Sequence, residues 1–153
     1  MTAADDLMPF LLAAMNWRDD QQWTSETVLA APEVAHYVTD WMRAGDGGVV
    51  ALVGAHAAGA AWWRTFTSED RAYGYVADGI PEVGLAVLAS YRRAGLGTAL
   101  MAALIARATA EGLRALSLSV EDGNEAARAL YEALGFTTVD RVGDSDTMVL
   151  HLA

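Results

Sequence analysis

The chain of 153 residues contains no cysteine and no lysine, so all ten of its cations are arginines. Without cysteine there is no disulfide, no thiolate metal ligand and no cysteine nucleophile. The three histidines, His36, His56 and His151, are scattered along the sequence, and we expect no metal site. With a net charge of −10, the chain also lacks the clustered positive charge that binds a phosphate backbone. Nucleic acid is therefore not expected among its partners.

Long hydrophobic runs are missing too. The longest nearly uncharged stretch, 47–63, is interrupted by glycines and by His56, whereas a membrane-spanning helix needs about 18 or more consecutive apolar residues. Asp5 and Asp6 stand where a signal peptide carries positive charge. We therefore expect a cytoplasmic protein without a membrane partner.

The apolar content is sufficient for one folded domain. Apolar residues make up 54% of the chain and charged residues 20%, a composition that disfavours disorder. No linker, repeat or low-complexity segment divides the sequence, and its length is that of one ordinary domain. Residues 1–153 are therefore predicted to form a single domain.

Hydrophobic spacing predicts both helices and strands. Apolar residues recur at helical intervals over 4–16 and 33–44, and Pro32 suits the first turn of the second helix. Further along, the patterns predict strands at 49–53, 60–66, 83–88, 116–120, 136–142 and 147–152, and helices at 95–111 and 124–134. The polar, aperiodic segment 67–81 predicts a loop. These elements indicate an α/β domain in which strand–helix–strand units are combined with hairpins.

A glycine-rich turn at 91–98 lies between a predicted buried strand and the longest predicted helix. Gly95 and Gly97 would let backbone N–H groups point outward at the helix start. There, together with the helix dipole, they favour an anion such as pyrophosphate. Arg92 and Arg93 place two cations at this point of an otherwise acidic chain.

Three other interpretations of this turn compete. A P-loop is excluded because it requires a lysine. The interpretation as a dinucleotide-binding turn is weakened because Leu100 stands where that motif has glycine or alanine. However, Glu121 is placed like the ribose-binding acid of that motif. A nicotinamide enzyme therefore stays an alternative. The third interpretation is a turn whose glycines only allow tight packing.

Two motifs resemble the GNAT superfamily of acyl-CoA-dependent N-acyltransferases. The first, Arg-Arg-Ala-Gly-Leu-Gly at 92–97, matches the family pattern of Arg or Gln, two residues, Gly, one residue, then Gly or Ala, at a helix start after a central strand. The second is a helix that starts at Asn124 and ends Leu-Tyr-Glu-Ala-Leu-Gly-Phe at 130–136. Both stand in the family's order and spacing. The resemblance covers about 47–153, with its signature region at about 83–136.

The resemblance implies a mixed, mostly antiparallel central sheet flanked by helices. Family members begin with a strand before the first helix. The residues ahead of Asp5 leave no room for it, so we expect that strand to be missing or truncated. The central strand can offer its backbone to a ligand only if a neighbour splays away. Gly84 is expected to mark either a bulge that allows this or close packing.

The resemblance also implies acetyl-CoA as the acyl-donor cosubstrate, with no metal. Its pyrophosphate would lie on the backbone of the turn, and its pantetheine arm would pair with the central strand. The residues expected to bind it are Leu85, Ala86, Val87, Arg92, Arg93, Ala94, Gly95, Leu96, Gly97, Thr98 and Asn124.

Two catalytic residues are implied by the same resemblance. Tyr131 would protonate the departing thiolate, and Glu82 would deprotonate the incoming amine; their alternative roles are a core tyrosine and an exposed carboxylate at a strand start. The aromatic residues Trp62, Trp63, Tyr73 and Tyr75 are candidates for an acceptor pocket, and core packing explains at least half of them equally well.

The implied function is direct acetyl transfer from acetyl-CoA to an amine, which is either a small cationic amine or a peptide or protein amine. The alternative is a non-catalytic module that senses coenzyme A. A homodimer is the default expectation for the oligomeric state.

Overall fold

Six strands form one sheet in the order β1-β2-β3-β4-β6-β5. The computed structural model describes residues 1–2, 5–92 and 94–152. The strands are β1 (Gly47–Val53), β2 (His56–Arg64), β3 (Glu82–Val87), β4 (Ala115–Glu121), β5 (Thr137–Val142) and β6 (Ser145–His151). The helices are α1 (Met8–Met15), α2 (Ser25–Leu29), α3 (Pro32–Ala35), α4 (Leu96–Ala110) and α5 (Glu125–Ala133), and a short 3₁₀ turn spans Ala89–Tyr91.

The sheet is mostly antiparallel, since β3 and β4 are its one parallel pair. This confirms the predicted mixed sheet flanked by helices. It also removes the nicotinamide alternative, because a dinucleotide-binding domain is built on a doubly wound parallel sheet. The described residues before α1 form no strand, and the Met1 amino group donates a hydrogen bond of 3.1 Å to Gly48 O on the outer strand β1.

Alternation along the strands divides the core between the two faces of the sheet. Trp62 and Trp63 are consecutive in β2 and therefore point to opposite faces. Trp63 packs in the cluster that contains the α4 residues Leu100 and Leu104. Trp62 packs in a second cluster with Phe10 next to it. Helices α4 and α1 thus cover opposite faces of the central strands.

The predicted helix over 33–44 is wrong beyond Ala35, where α3 ends. The carbonyls that a longer helix would use are bound by the buried guanidinium of Arg64, whose Nη1 donates to His36 O (3.1 Å) and Thr39 O (2.6 Å). Asp40 also has a positive φ of 54°, which ends helical geometry. The short helix α2 was not predicted; a reciprocal pair of hydrogen bonds between Thr24 and Thr27 caps it.

Gly84 marks close packing and not a bulge. The register between β2 and β3 is unbroken across the pair Gly84 and Trp62. A methyl group at position 84 would lie 2.5 Å from Trp62 Cζ2, so the indole occupies the space that a side chain would need.

In the part of the chain that the structure describes, no helix has both the length and the apolar character needed to cross a membrane.

Candidate active site

Strands β3 and β4 touch at one point and then separate. Glu82 pairs with Ser117, and Ser117 N donates to Pro81 O at 3.0 Å. Beyond this pair the described residues of the two strands form no further ladder contacts. A cleft of about 1070 Å³ opens between them. The splayed neighbour that a backbone-binding strand requires is therefore present.

The edge of β3 toward this cleft carries free backbone groups. Leu88 N donates to Ala58 O at 2.8 Å on the β2 side. Because hydrogen-bonding direction alternates along an antiparallel strand, the N–H groups of Val87 and Leu85 point the other way, into the cleft. The backbone of Ala86 is directed toward β2, so it does not share the outward direction of the Leu85 and Val87 N–H groups, although Ala86 also lines the cleft.

The glycine-rich turn presents an open helix N-terminus. Gly95 has a φ of +76° and precedes the 15-residue helix α4. A side chain at position 95 would strain the backbone, although no atom lies within 4 Å of the place that its Cβ would take. The first intrahelical bond is donated by Ala99 N to Gly95 O (3.2 Å), so the N–H groups of Leu96, Gly97 and Thr98 have no helical partner. The nearest atom to a methyl group at Gly97 would be Leu130 Cδ2 at 3.5 Å, an ordinary contact. Tight packing therefore does not explain these two glycines.

The side chain of Arg92 is engaged with protein carbonyls. Its Nε donates to Val87 O (3.1 Å) and its Nη2 to Ala13 O (3.4 Å), which joins the turn to the end of β3 and to α1. Arg93 lies outside the described residues. Ala94 and Thr98 are exposed and do not line the cleft, whereas the other expected residues of the turn do.

Helix α5 forms another wall of the cleft, at the end that carries the open turn. Asn124 caps it, since its Oδ1 accepts from Ala127 N at 3.4 Å, and Asn124 also lines the cleft. Tyr131 lies further along the same helix and is 8% exposed. The centroid of its ring is 5.9 Å from that of Phe136. Its hydroxyl makes no hydrogen bond with the described residues. Burial raises the pKa of Tyr131 to about 12, so this phenol holds its proton more firmly than an ordinary tyrosine does.

Glu82 is buried at the opposite end of the cleft, so its alternative role as an exposed strand-start carboxylate is wrong. Only 4% of the residue is exposed. Burial raises the pKa of its carboxyl to about 7, although the nearby Tyr37 hydroxyl and Gly74 backbone lower it. Neither neighbour gives Oε1 a hydrogen bond of normal geometry, and this oxygen has no partner among the described residues. A carboxyl with this pKa exchanges its proton near neutral pH, as a general base does.

Tyr37 and Gly74 are functional candidates that the sequence did not reveal. A methyl group at Gly74 would overlap Glu82 Oε1, so glycine is what admits the carboxylate beneath the loop 67–81. The Tyr37 hydroxyl accepts from Tyr73 N at 3.0 Å, which fixes that loop beside Glu82. Burial and the nearby Glu82 charge raise the pKa of Tyr37 well above its ordinary value. These contacts join distant segments, and no local sequence pattern signals them.

Two of the four aromatic residues expected around the acceptor line the cleft, namely Trp62 and Tyr73. The expectation for Trp63 is wrong because its side chain lies on the opposite face of the sheet, where its Nε1 donates to Gly45 O at 2.8 Å. The expectation for Tyr75 is wrong because Tyr75 does not line the cleft, and its hydroxyl donates to Asp78 Oδ1 at 2.6 Å.

Solved structures with this fold include several acetyltransferases. An N-acetyltransferase from Staphylococcus aureus Mu50 matches with a TM-score of 0.57 and 22% identity. The match covers 68% of this chain and 66% of the Staphylococcus protein, so it spans slightly less than two thirds of that protein. A ribosomal-protein-alanine N-acetyltransferase from Brucella melitensis matches with a TM-score of 0.67 and 22% identity, over 93% of this chain and 91% of the Brucella protein. The yncA protein of Salmonella typhimurium, solved with its cofactor acetyl-CoA, matches with a TM-score of 0.62 and 24% identity over 94% and 82%.

No curated protein sequence matches the chain. The model of the acetyltransferase (GNAT) family matches residues 9–136, which is most of the sequence. That span includes α1, the separated strands β3 and β4, the open turn before α4, and α5 with Tyr131. The chain belongs to the GNAT acetyltransferase family.

Proposed function

We propose that this protein transfers an acetyl group from acetyl-CoA directly to an amine. The observation that carries the proposal is the position of Glu82, a buried carboxyl with a pKa of about 7, in the same cleft as an open anion-binding turn. Between the two lies the unpaired edge of β3. One cleft thus offers a base, a surface for an extended arm and a site for phosphates.

The residues present fit acetyl-CoA. The N–H groups of Leu96, Gly97 and Thr98, which have no helical partner, suit a pyrophosphate, and the Leu85 N–H, which points into the cleft, suits a pantetheine amide. Asn124 adjoins the same path. Acetyl-CoA supplies a thioester, whose acyl carbon is open to attack by a neutral amine.

The chain's own residues account for the protons. Glu82 takes one proton of the ammonium group and passes it to solvent, and the neutral nitrogen forms the new C–N bond. That nitrogen then loses a second proton to solvent as the amide forms. The Val87 N–H stabilises the charge that develops on the carbonyl oxygen. As the C–S bond breaks, Tyr131 gives its proton to the sulfur and regains one from solvent. The pKa of about 12 keeps Tyr131 protonated at neutral pH, so its proton is present when the thiolate departs.

A thiol-release assay with acetyl-CoA and a panel of amines tests this function. We expect release only when an amine is present, with Tyr131→Phe and Glu82→Gln each lowering turnover by about 10²–10⁴-fold. Glu111→Gln is a matched control, because Glu111 is exposed at the end of α4 and its one ion pair among the described residues is with Arg107. The sensor alternative predicts calorimetric binding of acetyl-CoA without release for any amine. Cytoplasmic location and a homodimer stay predictions.

A further inference from the structure

The loop 16–23 forms a fixed wall that carries two indole rings. Asn16 closes this loop with two hydrogen bonds to one residue: its Oδ1 accepts from Trp23 N (2.8 Å) and its Nδ2 donates to Trp23 O (2.9 Å). Trp17 and Trp23 are half-buried and both line the cleft. The loop therefore holds its two rings at a defined place.

The same loop is attached to the far side of the cleft. Trp17 packs against the turn at Gly123, which follows β4. Arg18 Nη2 and Gln21 Nε2 each lie 3.4 Å from Glu121 Oε2, at the end of β4. Loop 16–23 thus runs from α1 to the end of β4, across the gap between β3 and β4.

Two tyrosines line the cleft near Glu82. Tyr37 receives the Tyr73 N–H, and Thr147 Oγ1 donates to Tyr73 O at 3.3 Å, so both backbone groups of Tyr73 are held. With Trp17 and Trp23, four aromatic residues from three segments of the chain line the same cleft as Glu82. We call these residues, Trp17, Trp23, Tyr37 and Tyr73, the aromatic wall.

The charges of the cleft are distributed unevenly. The charged residues that line it are Glu82, Arg92, Glu121, Glu125 and Asp144. Glu82 is buried, whereas the other four lie at the partly or fully exposed rim. Glu121 already has Arg18 and Gln21 as partners. A ligand inside the cleft therefore meets one buried carboxylate and a largely aromatic and aliphatic surface.

We infer that the acceptor is a primary monoamine with a flat apolar body, such as an aryl-substituted ethylamine; this inference rests on the proposed acetyl transfer. Its amine is directed to Glu82 and its body packs on the aromatic wall. A polyamine would bring further ammonium groups into a surface that offers them no second buried carboxylate. The cleft of about 1070 Å³ must hold the donor arm as well, which leaves room for a small acceptor.

The test compares kcat/KM, by thiol release, for 2-phenylethylamine, n-butylamine, spermidine and a hexapeptide with an N-terminal alanine. We expect 2-phenylethylamine to exceed each of the others by about tenfold, the effect of one good aromatic contact. Trp23→Leu should raise the KM for 2-phenylethylamine by about fivefold and leave kcat and the KM for acetyl-CoA unchanged. Trp23→Phe should restore most of the loss. Leu52→Ala, at a residue 63% exposed and outside the cleft, is the control.

A binding titration keeps the inference testable without turnover. Protein saturated with coenzyme A is titrated with 2-phenylethylamine and with spermidine, and tryptophan fluorescence is followed. Tighter binding of 2-phenylethylamine, weakened by Trp23→Leu, is the expected result. Preference for spermidine or for the peptide in either assay would overturn the inference while acetyl transfer stands. Absence of thiol release with every amine would overturn the proposed function instead, and the titration would still decide the inference.

Discussion

Replacing Glu82 by glutamine is expected to stabilise the protein above neutral pH although it removes the proposed base. Burial raises the pKa of Glu82 from 4.5 to about 7, so the folded protein holds this proton more tightly than the unfolded chain does. The stability that the proton provides is complete below about pH 4.5 and is lost as pH rises through 7. One pKa unit corresponds to about 1.4 kcal/mol, so the ionised residue costs the folded state about 3 kcal/mol at pH 8.

Urea denaturation of the parent and of Glu82→Gln at several pH values measures this effect. The difference in unfolding free energy should change by about 3 kcal/mol in favour of the variant between pH 4.5 and pH 8, or roughly 6–12 °C in Tm. Glu111→Gln, in which an exposed carboxylate is neutralised, should show no such dependence. A difference between parent and Glu82→Gln that stays constant over this range would refute the buried, ionising carboxylate.

Substitutions at three further positions test the cleft. Gly97→Val should block the helix N-terminus and raise the calorimetric Kd for acetyl-CoA at least about tenfold. Gly97→Ala should bind acetyl-CoA with nearly unchanged affinity, because its methyl group makes only an ordinary contact. Tyr131→Phe should leave that Kd and the unfolding free energy almost unchanged, because its hydroxyl has no hydrogen bond to lose among the described residues; early melting with normal turnover would contradict the acid role. Gly74→Ala would overlap Glu82 Oε1 and Leu118 C, so the unfolding free energy should fall by about 1–3 kcal/mol, together with kcat; normal turnover would show that Gly74 does not shape the position of Glu82.

The end of the cleft that carries the open turn was predictable because its features are local. The motif at 92–97 requires a glycine with positive φ and an open helix start, and both occur at Gly95 and Gly97. Asn124 caps the predicted helix in the same way. Strand patterns gave all six strands within a few residues, since alternation and apolar runs are properties of the strand itself. The division into a single domain stays a prediction.

The acceptor end was not predictable because it is assembled from distant segments. Tyr37 and Gly74 reach Glu82 only after the chain folds, and neither stands in a motif. The predicted helix over 33–44 failed for a related reason: Arg64, on a strand more than twenty residues away, takes the carbonyls that the helix needed. Loop 16–23 depends on the two bonds from Asn16, which its composition does not reveal. Tertiary contacts overrode local preference in each case.

The pH dependence of acetylated amine formation, measured by mass spectrometry with saturating acetyl-CoA, tests the central claim most directly. If Glu82 is the base in a working acetyltransferase, product formation should rise with pH through about 7 and then level off. In Glu82→Gln the rise near 7 should disappear and the rate should increase only as pH approaches the pKa of the amine itself. Acetylated product formed by Glu82→Gln at the parent's rate and with the parent's pH profile would contradict the account.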